Sequence, residues 1–508
     1  MNEPYKKGFS EYAQENRGRI VLLLLLFLLS QYMFYTMGIS GLALVCFLPV
    51  VPIAIYAALK WQMMTFGILF FLNFTIMGIG RYISIPVPVT ALSQSITFLA
   101  LFSALLDNKE NNGKSVWNVM YMMLYIWIAY LCLEMLNDTC QLPFSFAQWL
   151  QRTYLFGLQI VFGCLVVSLI INKPERVMFF LKFWAVMTII AAIWSWRQRT
   201  FGFDTAENIW LETRGRTTHI IGGTIRYFSF FSDAANFGCH AACAAIVFFI
   251  VALTSKIKKH RVFFCIAGVF SLYGMFTTGT RTAVICFILG TFLYIILSKS
   301  FKLAIPITAI IGLFIFILAF TKIGQGNDMI RRMRTAFDTN DASKNTRDIN
   351  QEALKKYMQD APWGLGISMD PQAIPANNKY KVASTTPPDS YYVYLWQFTG
   401  RIGEVLFAIV CIVSLFGGCY IVLFRLKNKS LQGIGAAFCC AFAAINAGGY
   451  ANNILTQYPN VIVLFGGMAL TYSLPAMEAE YIEYEERLFE NQEKEKREKE
   501  KRKREKRV

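Results

Sequence analysis

Carboxylates are nearly missing from the hydrophobic spans of this chain, histidine occurs three times in 508 residues, and one set of short loops holds no lysine. Each scarcity excludes something. A proton- or sodium-coupled transporter places Asp or Glu near the midplane of its spans. Here Glu134 and Lys182 lie near span ends, and His240 lies one or two turns inside its span. The charged groups crowd one face instead, so binding or chemistry belongs there. Twelve cysteines include no CxxC pair with partner ligands, so no metal site is expected and no cofactor is needed. Eleven of them, Cys46, Cys132, Cys164, Cys239, Cys243, Cys265, Cys286, Cys411, Cys419, Cys439 and Cys440, fall in apolar spans, and only Cys140 lies in an outer loop. Small apolar packing, not a disulfide framework, is their role. No small-residue cleavage site closes the first apolar run, Ile20–Met37, which follows Lys6, Lys7, Arg17 and Arg19. It reads as a signal anchor that stays.

What is abundant is apolar sequence. The chain is 55% hydrophobic with a mean hydropathy of +0.43, which no soluble domain matches. The fold class is all-α: a polytopic helical membrane bundle of about 12–14 spans with a large extracytoplasmic loop containing short helices. The spans are expected near 20–37, 41–58, 62–79, 90–106, 116–135, 153–171, 177–196, 235–253, 262–278, 282–297, 303–320, 396–424, 432–449 and 459–475. The chain then divides into spans one to eleven (1–320, with an outer loop at 197–234), the large loop (321–389), the last spans (390–476) and a charged tail (477–508).

The basic residues give orientation. With the N-terminus in the cytoplasm, Lys60, Lys109, Lys114, Lys173, Arg176, the Lys256–Arg261 cluster, Lys299, Lys302, Arg425, Lys427 and Lys429 all fall inside. The outer short loops hold eight arginines: Arg81, Arg152, Arg197, Arg199, Arg214, Arg216, Arg226 and Arg281. Arginine without lysine, where topology disfavours both, points to a task. Its planar fork suits diphosphate or carboxylate. The net charge of +17 owes nothing to residues 478–508, where eleven acidic and eleven basic side chains cancel. Nucleic acid is therefore a poor partner; anionic membrane lipids and an anionic lipid-linked substrate are better ones. The end of the tail, Lys501–Arg507, reads as solvated and held near anionic lipid.

Two stretches need separate treatment. Residues 390–424 are too many for one span and too few for two, so Ser390–Thr399 lies at the outer interface or extends the helix outward. Tyr391, Tyr392, Tyr394 and Trp396 fit an aromatic belt there, and Tyr391 is also a candidate substrate contact. In the large loop, Thr346–Gln359 reads as an amphipathic helix with Ile349, Ala353, Leu354 and Tyr357 on one face. Asn377–Pro388 reads as loop, with Pro387 and Pro388 delivering the chain to Asp389 in extended form.

Three constellations carry candidate chemistry. In the first, Arg226 precedes Ser232, Asp233 and Asn236, where the first long loop enters a span. Ser232 and Asp233 can cap that helix, and a capped start presents N–H groups to phosphate oxygens; simple capping, with Arg226 at the headgroup level, is the plainer reading. In the second, Thr278-Gly279-Thr280-Arg281 forms a very short outer hairpin whose one charge cannot wander; snorkelling to headgroups is its alternative. In the third, Arg347 opens the loop helix, followed by Pro362-Trp-Gly-Leu-Gly366, by Asp389 to Leu395, and by Gly400-Arg-Ile-Gly403. Asp389 is a candidate general base, or else an N-cap for the helix that follows.

Together these resemble the O-antigen ligase and O-antigen polymerase (Wzy-type) superfamily of lipid-linked polysaccharide enzymes. Its patterns run in the same order: an arginine and Asn ahead of a middle span, a Ser/Thr-Gly-Ser/Thr-Arg hairpin, then a large outer loop. That loop carries an Arg-led helix, Pro-x-Gly-x-Gly, a His-Asn-x-x-Leu-like segment and Gly-x-x-Gly. The likeness covers roughly 226–403 and departs at the His position, where Asp389 stands and no His lies in the large loop. The resemblance implies a metal-independent inner-membrane glycosyltransferase, both termini cytoplasmic, its site facing the periplasm. The donor would be a glycan on undecaprenyl diphosphate and the acceptor another repeat unit or a lipid A core, polymerase being preferred over ligase, with polysaccharide-assembly partners possible. Arg226, Arg281 and Asp389 would be catalytic, and Arg347, Arg214, Arg216, Asn236, Tyr391 and His219 would bind substrate. A flippase or exporter of lipid-linked oligosaccharide is the alternative, and a passive scaffold a third.

Overall fold

The computed structural model describes residues 50–83, 89–106, 116–221, 224–299, 321–326, 328–334 and 342–505, with scattered positions in 17–35 and 305–320. The expected spans 20–37 and 303–320, and the first half of 41–58, therefore lie outside the continuously described residues. The chain divides into two units, 1–65 and 66–508. In the first, the helix Val50–Lys60 ends with the Lys60 ammonium 5.1 Å from the Trp61 ring.

The second unit is a bundle of apolar helices. Among the described residues ten helices are long and apolar enough to cross a membrane, and Thr90–Leu106 is a shorter eleventh. Helix is the form such segments must take, because lipid offers no partner to an open backbone N–H or C=O. Ile266, Val269, Phe292, Ile296, Ile409 and Phe416 are exposed on the bundle's outside, as suits lipid-facing side chains. At the centre lies Ala234–Thr254, nearly all of it buried. It packs against Lys258–Thr277, Arg281–Ser298 and Lys429–Ala451. Small residues permit this closeness: a Cβ on Gly290 would lie 2.5 Å from the Ile246 side chain and 3.0 Å from the Cys440 carbonyl oxygen. The eleven cysteines described are all free.

Several boundaries differ from the sequence reading. The helix expected at 153–171 starts at Phe146, because Ser145 caps it through the Gln148 N–H. The run 391–425 is broken at Gly400, whose φ of 66° and ψ of −174° are non-helical, so Tyr391–Thr399 is a separate helical piece. The charged tail continues the last span as one helix, Gly466–Glu505. It is held at the Thr254 end of the bundle, where Glu485 accepts from Asn428 Nδ2 at 3.2 Å and pairs with Lys256 at 3.0 Å. In the first outer loop the chain forms short helical turns and one two-residue strand pair, Ile220–Ile221 with Thr224–Ile225. In the large loop the helix runs Ala342–Met358, with Leu354 and Met358 buried but Ile349 exposed. Residues 377–388 are not all loop; Lys381–Thr385 is a short helix.

Candidate functional site

Three of the eight arginines expected in outer loops hold the protein together. Arg81 Nη1 donates to the Ser229 carbonyl at 2.8 Å, and its guanidinium lies 4.3 Å from the Phe228 ring and 4.4 Å from the Trp210 ring. Arg152 Nη1 donates to the Ile367 carbonyl at 2.9 Å. Arg197 pairs with buried Glu207 at 2.8 Å, and Glu207 completes the capping box of the helix Thr205–Trp210. The planar fork is used here on the protein's own carbonyls and carboxylates, so these three are not available to a ligand.

Arg226, Arg281 and Arg347 differ in lying close to one another, although Arg226 too donates to the protein's own groups. They come from three separate segments and converge. Arg226 follows the strand pair; its own N–H donates to the His219 carbonyl at 2.9 Å. Its guanidinium donates to the Thr218 carbonyl at 3.0 Å and to Thr280 Oγ1 at 2.8 Å. Thr280 Oγ1 in turn donates to the Ala234 carbonyl at 3.0 Å. The hairpin can approach so closely because Gly279 takes φ 55° and because Gly238 lacks a Cβ, which would lie 2.5 Å from Thr278 Oγ1. Arg281 is the first residue of the next helix. Arg347 Nη2 donates to Asn452 Oδ1 at 3.4 Å. Burial pulls the Arg226 guanidinium below the ordinary arginine value; Asp233 and Cys239 oppose this, and the neighbouring charges of Arg281 and Arg347 add to it. Three cations brought within mutual influence repel one another, and an anion between them relieves the repulsion.

Asp389 lies at the edge of this cluster, half-buried. Asn350, one turn after Arg347 on the same helix, donates to Asp389 Oδ2 at 2.9 Å. Asp389 is not the helix cap. Ser390 is, its hydroxyl accepting from the Val393 N–H at 3.1 Å.

The remaining candidates fall into two groups. Arg214 and Arg216 are exposed on the first outer loop. His219, Asn236 and Tyr391, expected at substrate, are buried and engaged with the protein itself. His219 Nε2 accepts from the Ala234 N–H at 3.3 Å while Nδ1 faces the Gly215 carbonyl at 3.0 Å, which fixes the proton on Nδ1. It thus helps Asp233, the N-cap, to hold the start of Ala234–Thr254. Burial depresses its pKa to about 4. Asn236 donates to the Tyr458 carbonyl at 2.8 Å and accepts from Asn460 Nδ2 at 2.8 Å. Tyr391 is packed against Phe156 and Phe407.

The segment 452–460 went unrecognised in the sequence. It connects two spans, yet it turns polar groups inward: Asn452 meets Arg347 at the site, the Gln457 carbonyl Oε1 accepts from Ser232, and Asn460 Oδ1 faces His240 Nδ1 in the bundle core at 2.9 Å. Its run of uncharged amides, Asn452, Asn453, Gln457 and Asn460, was the available signal.

The glycine motifs of the large loop serve one another. Leu365 N–H donates to the Gln397 carbonyl at 2.9 Å and Gly366 N–H to the Phe398 carbonyl at 3.0 Å, so Pro362–Gly366 docks on the break at Gly400. Asn137 Nδ2 adds a bond to the Trp363 carbonyl at 2.7 Å. The large loop is therefore fastened to the bundle at the end of Tyr391–Thr399.

Below the hairpin, an apolar groove of about 870 Å³ runs between the helices Ala234–Thr254, Lys258–Thr277 and Arg281–Ser298. Met275 and Phe276 line the end nearest Arg281, and Arg261 the far end. Among the described residues no cluster of His, Cys, Asp or Glu has the grouping to hold a metal ion.

A sequence model of the O-antigen ligase family (Wzy_C) matches residues 266–408. The match takes in the Thr278–Arg281 hairpin, Arg347, Pro362–Gly366, Asp389 and Gly400–Gly403; Arg226 and 452–460 lie outside it. No curated protein matches the chain. The family match supports the O-antigen ligase/polymerase superfamily and its type of activity in surface polysaccharide assembly.

Proposed function

We propose that this O-antigen ligase-type protein is a metal-independent glycosyltransferase that moves glycan from an undecaprenyl-diphosphate donor to a sugar hydroxyl, acting as a polymerase in preference to a ligase. The observation that carries the proposal is the convergence of three segments: Arg226 bonds to Thr280 beside Arg281, and Arg347 is joined through Asn452 to Thr282 on the other side of Arg281. Diphosphate is the leaving group. As the bond from the anomeric carbon to the phosphate oxygen breaks, the electron pair goes to that oxygen and negative charge grows there. Fixed guanidinium groups stabilise the growing charge more than the ground state, which lowers the barrier. The acceptor hydroxyl oxygen forms the new bond to the anomeric carbon, and its proton passes to the Asp389 carboxylate. Arg214 and Arg216, exposed on the first loop, take the glycan side of the substrate. The apolar groove that starts at Phe276 suits the polyprenyl chain, since a lipid lying there would bring its diphosphate to the hairpin.

The site faces the periplasm and both termini lie in the cytoplasm of a bacterial inner-membrane protein, as the lysine pattern argues. Outside labelling of single cysteines in a cysteine-depleted protein tests this: position 345 should label and position 258 should not, and the reverse would overturn the topology. The glycan pattern of a strain lacking the protein tests the reaction. A ladder collapsed to a single repeat unit supports the polymerase. Lipid-linked polymer accumulating beside bare core means ligase, and an unchanged ladder rejects both.

A further inference from the structure

We propose that Asn452 is a positioning residue that locks the helix of the large outer loop onto the arginine site. The inference rests on reading that site as a clamp for a diphosphate. Asn452 ends the helix Lys429–Ala451, far outside the segment 266–408 that matches the family. Its amide has two ends and both are committed. Oδ1 accepts from Arg347 Nη2 at 3.4 Å, and Nδ2 donates to Thr282 Oγ1 at 2.8 Å. The orientation is forced, because a guanidinium only donates and must face the amide oxygen. Thr282 is the residue after Arg281. One side chain therefore joins Arg347, carried by a loop, to the start of the helix that carries Arg281.

The backbone of Asn452 is fixed on both sides. Its N–H donates to the Gly448 carbonyl at 3.0 Å, and its carbonyl accepts from the Ile454 N–H at 3.0 Å. Beyond it, Asn460 Nδ2 donates to the Ile454 carbonyl at 2.8 Å, and the Asn236 amide donates to the Tyr458 carbonyl at 2.8 Å. The amide is thus anchored to the bundle core and does not follow the loop. It sets where Arg347 stands relative to Arg281, and a displacement of one guanidinium by an ångström is costly at a site that works by geometry.

An aspartate at 452 has the same shape but the opposite effect. Its carboxylate would pair with Arg347 and place a fixed anion where the diphosphate has to sit. Alanine merely removes the bridge. Aspartate should therefore harm diphosphate binding more than alanine, an order that a packing role does not produce.

The test uses the purified full-length protein and farnesyl diphosphate as probe, with binding measured by competition and folding checked by thermal unfolding in detergent. Asn452→Ala should weaken binding by roughly 10- to 100-fold, the range for losing a hydrogen bond to a charged group. Asn452→Asp should weaken it further. In an Arg347→Ala background neither change should cost anything more. The proposal is overturned if both variants bind like the unmodified protein while Arg347→Ala does not, or if the losses add in that background. If Arg347→Ala itself binds normally, the diphosphate clamp fails and the positioning role falls with it. Should Asn452→Ala fail to fold, the isosteric Asn452→Asp decides alone: stably folded protein with weakened binding supports the proposal, and unweakened binding rejects it.

Discussion

Asn350 donates a hydrogen bond to Asp389 at 2.9 Å, and it does so from the helix that also presents Arg347. The cation and the hydrogen-bond partner of the proposed base are thus carried by one helix. With Ser390 serving as the cap, Asp389 is not needed for the helix that follows it. Asp389→Asn should therefore leave the protein folded and able to bind diphosphate, and should abolish nearly all transfer in an in vitro assay. Asn350→Ala should cost about tenfold, through a misplaced carboxylate. Full transfer by Asp389→Asn would remove it as the base and leave activation by substrate or water.

Arg281 should be the most sensitive of the three arginines. Its hairpin is four residues long and no neighbour can replace it. Arg281→Lys keeps the charge but loses the two-pronged fork. Transfer should fall by about two orders of magnitude, the range for removing one preorganised donor from a developing anion, with the protein still accumulating in the membrane. Near-normal glycan assembly by this variant would sink the clamp.

Arg226 and Arg347 should act on the same anion. Each →Ala change should lower transfer, and the double change should cost less than the sum, because groups that work as a unit are not additive. Arg226 also braces the hairpin through Thr280, so Arg226→Lys is the cleaner partner in the cycle. Strict additivity would place the two arginines at separate sites.

Gly400 tests what fastens the large loop. Its φ of 66° with ψ of −174° is glycine-only backbone, and an added Cβ would lie 2.0 Å from the Pro362 carbonyl oxygen. That neighbour is main chain and cannot swing away. Gly400→Ala should destabilise the protein by on the order of 3 kcal/mol and release Pro362–Gly366 from the bundle, read as increased proteolysis between 321 and 389. Unchanged protease resistance would mean that the docking is not held there.

The bundle was legible because a span must bury its own backbone bonds, so hydropathy alone locates it: 234–254 and 281–298 fall within a few residues of expectation. The arginine site was legible in part. Arg226, Arg281 and Arg347 stood out by charge, but so did Arg81 and Arg152, and composition cannot tell a guanidinium aimed at a ligand from one aimed at a carbonyl 148 or 215 residues away. Asn452 and Asn460 were easy to miss for the opposite reason: they are uncharged, lie between two apolar runs, and act through contacts 105 and 224 residues distant, so only their clustering marks them. His219 was noticed for its rarity and assigned to substrate, when its ring nitrogens already serve the Ala234 N–H and the Gly215 carbonyl.

That arrangement gives His219 a pH signature. Nε2 must stay unprotonated to accept from Ala234, and burial holds the folded-state pKa at about 4, below the ordinary value of 6.5. The unfolded chain therefore binds the proton first. The stability that His219 contributes is fully present above pH 6.5 and is lost progressively as pH falls toward 4. Protonation would set an N–H donor against the Ala234 N–H and loosen the start of the helix that positions Arg226 and the hairpin. His219→Gln keeps an acceptor that does not titrate in this range. Thermal unfolding between pH 7 and 4.5 should show a steeper loss for the unmodified protein than for His219→Gln. Parallel curves for the two would mean that the imidazole is not held neutral at this position.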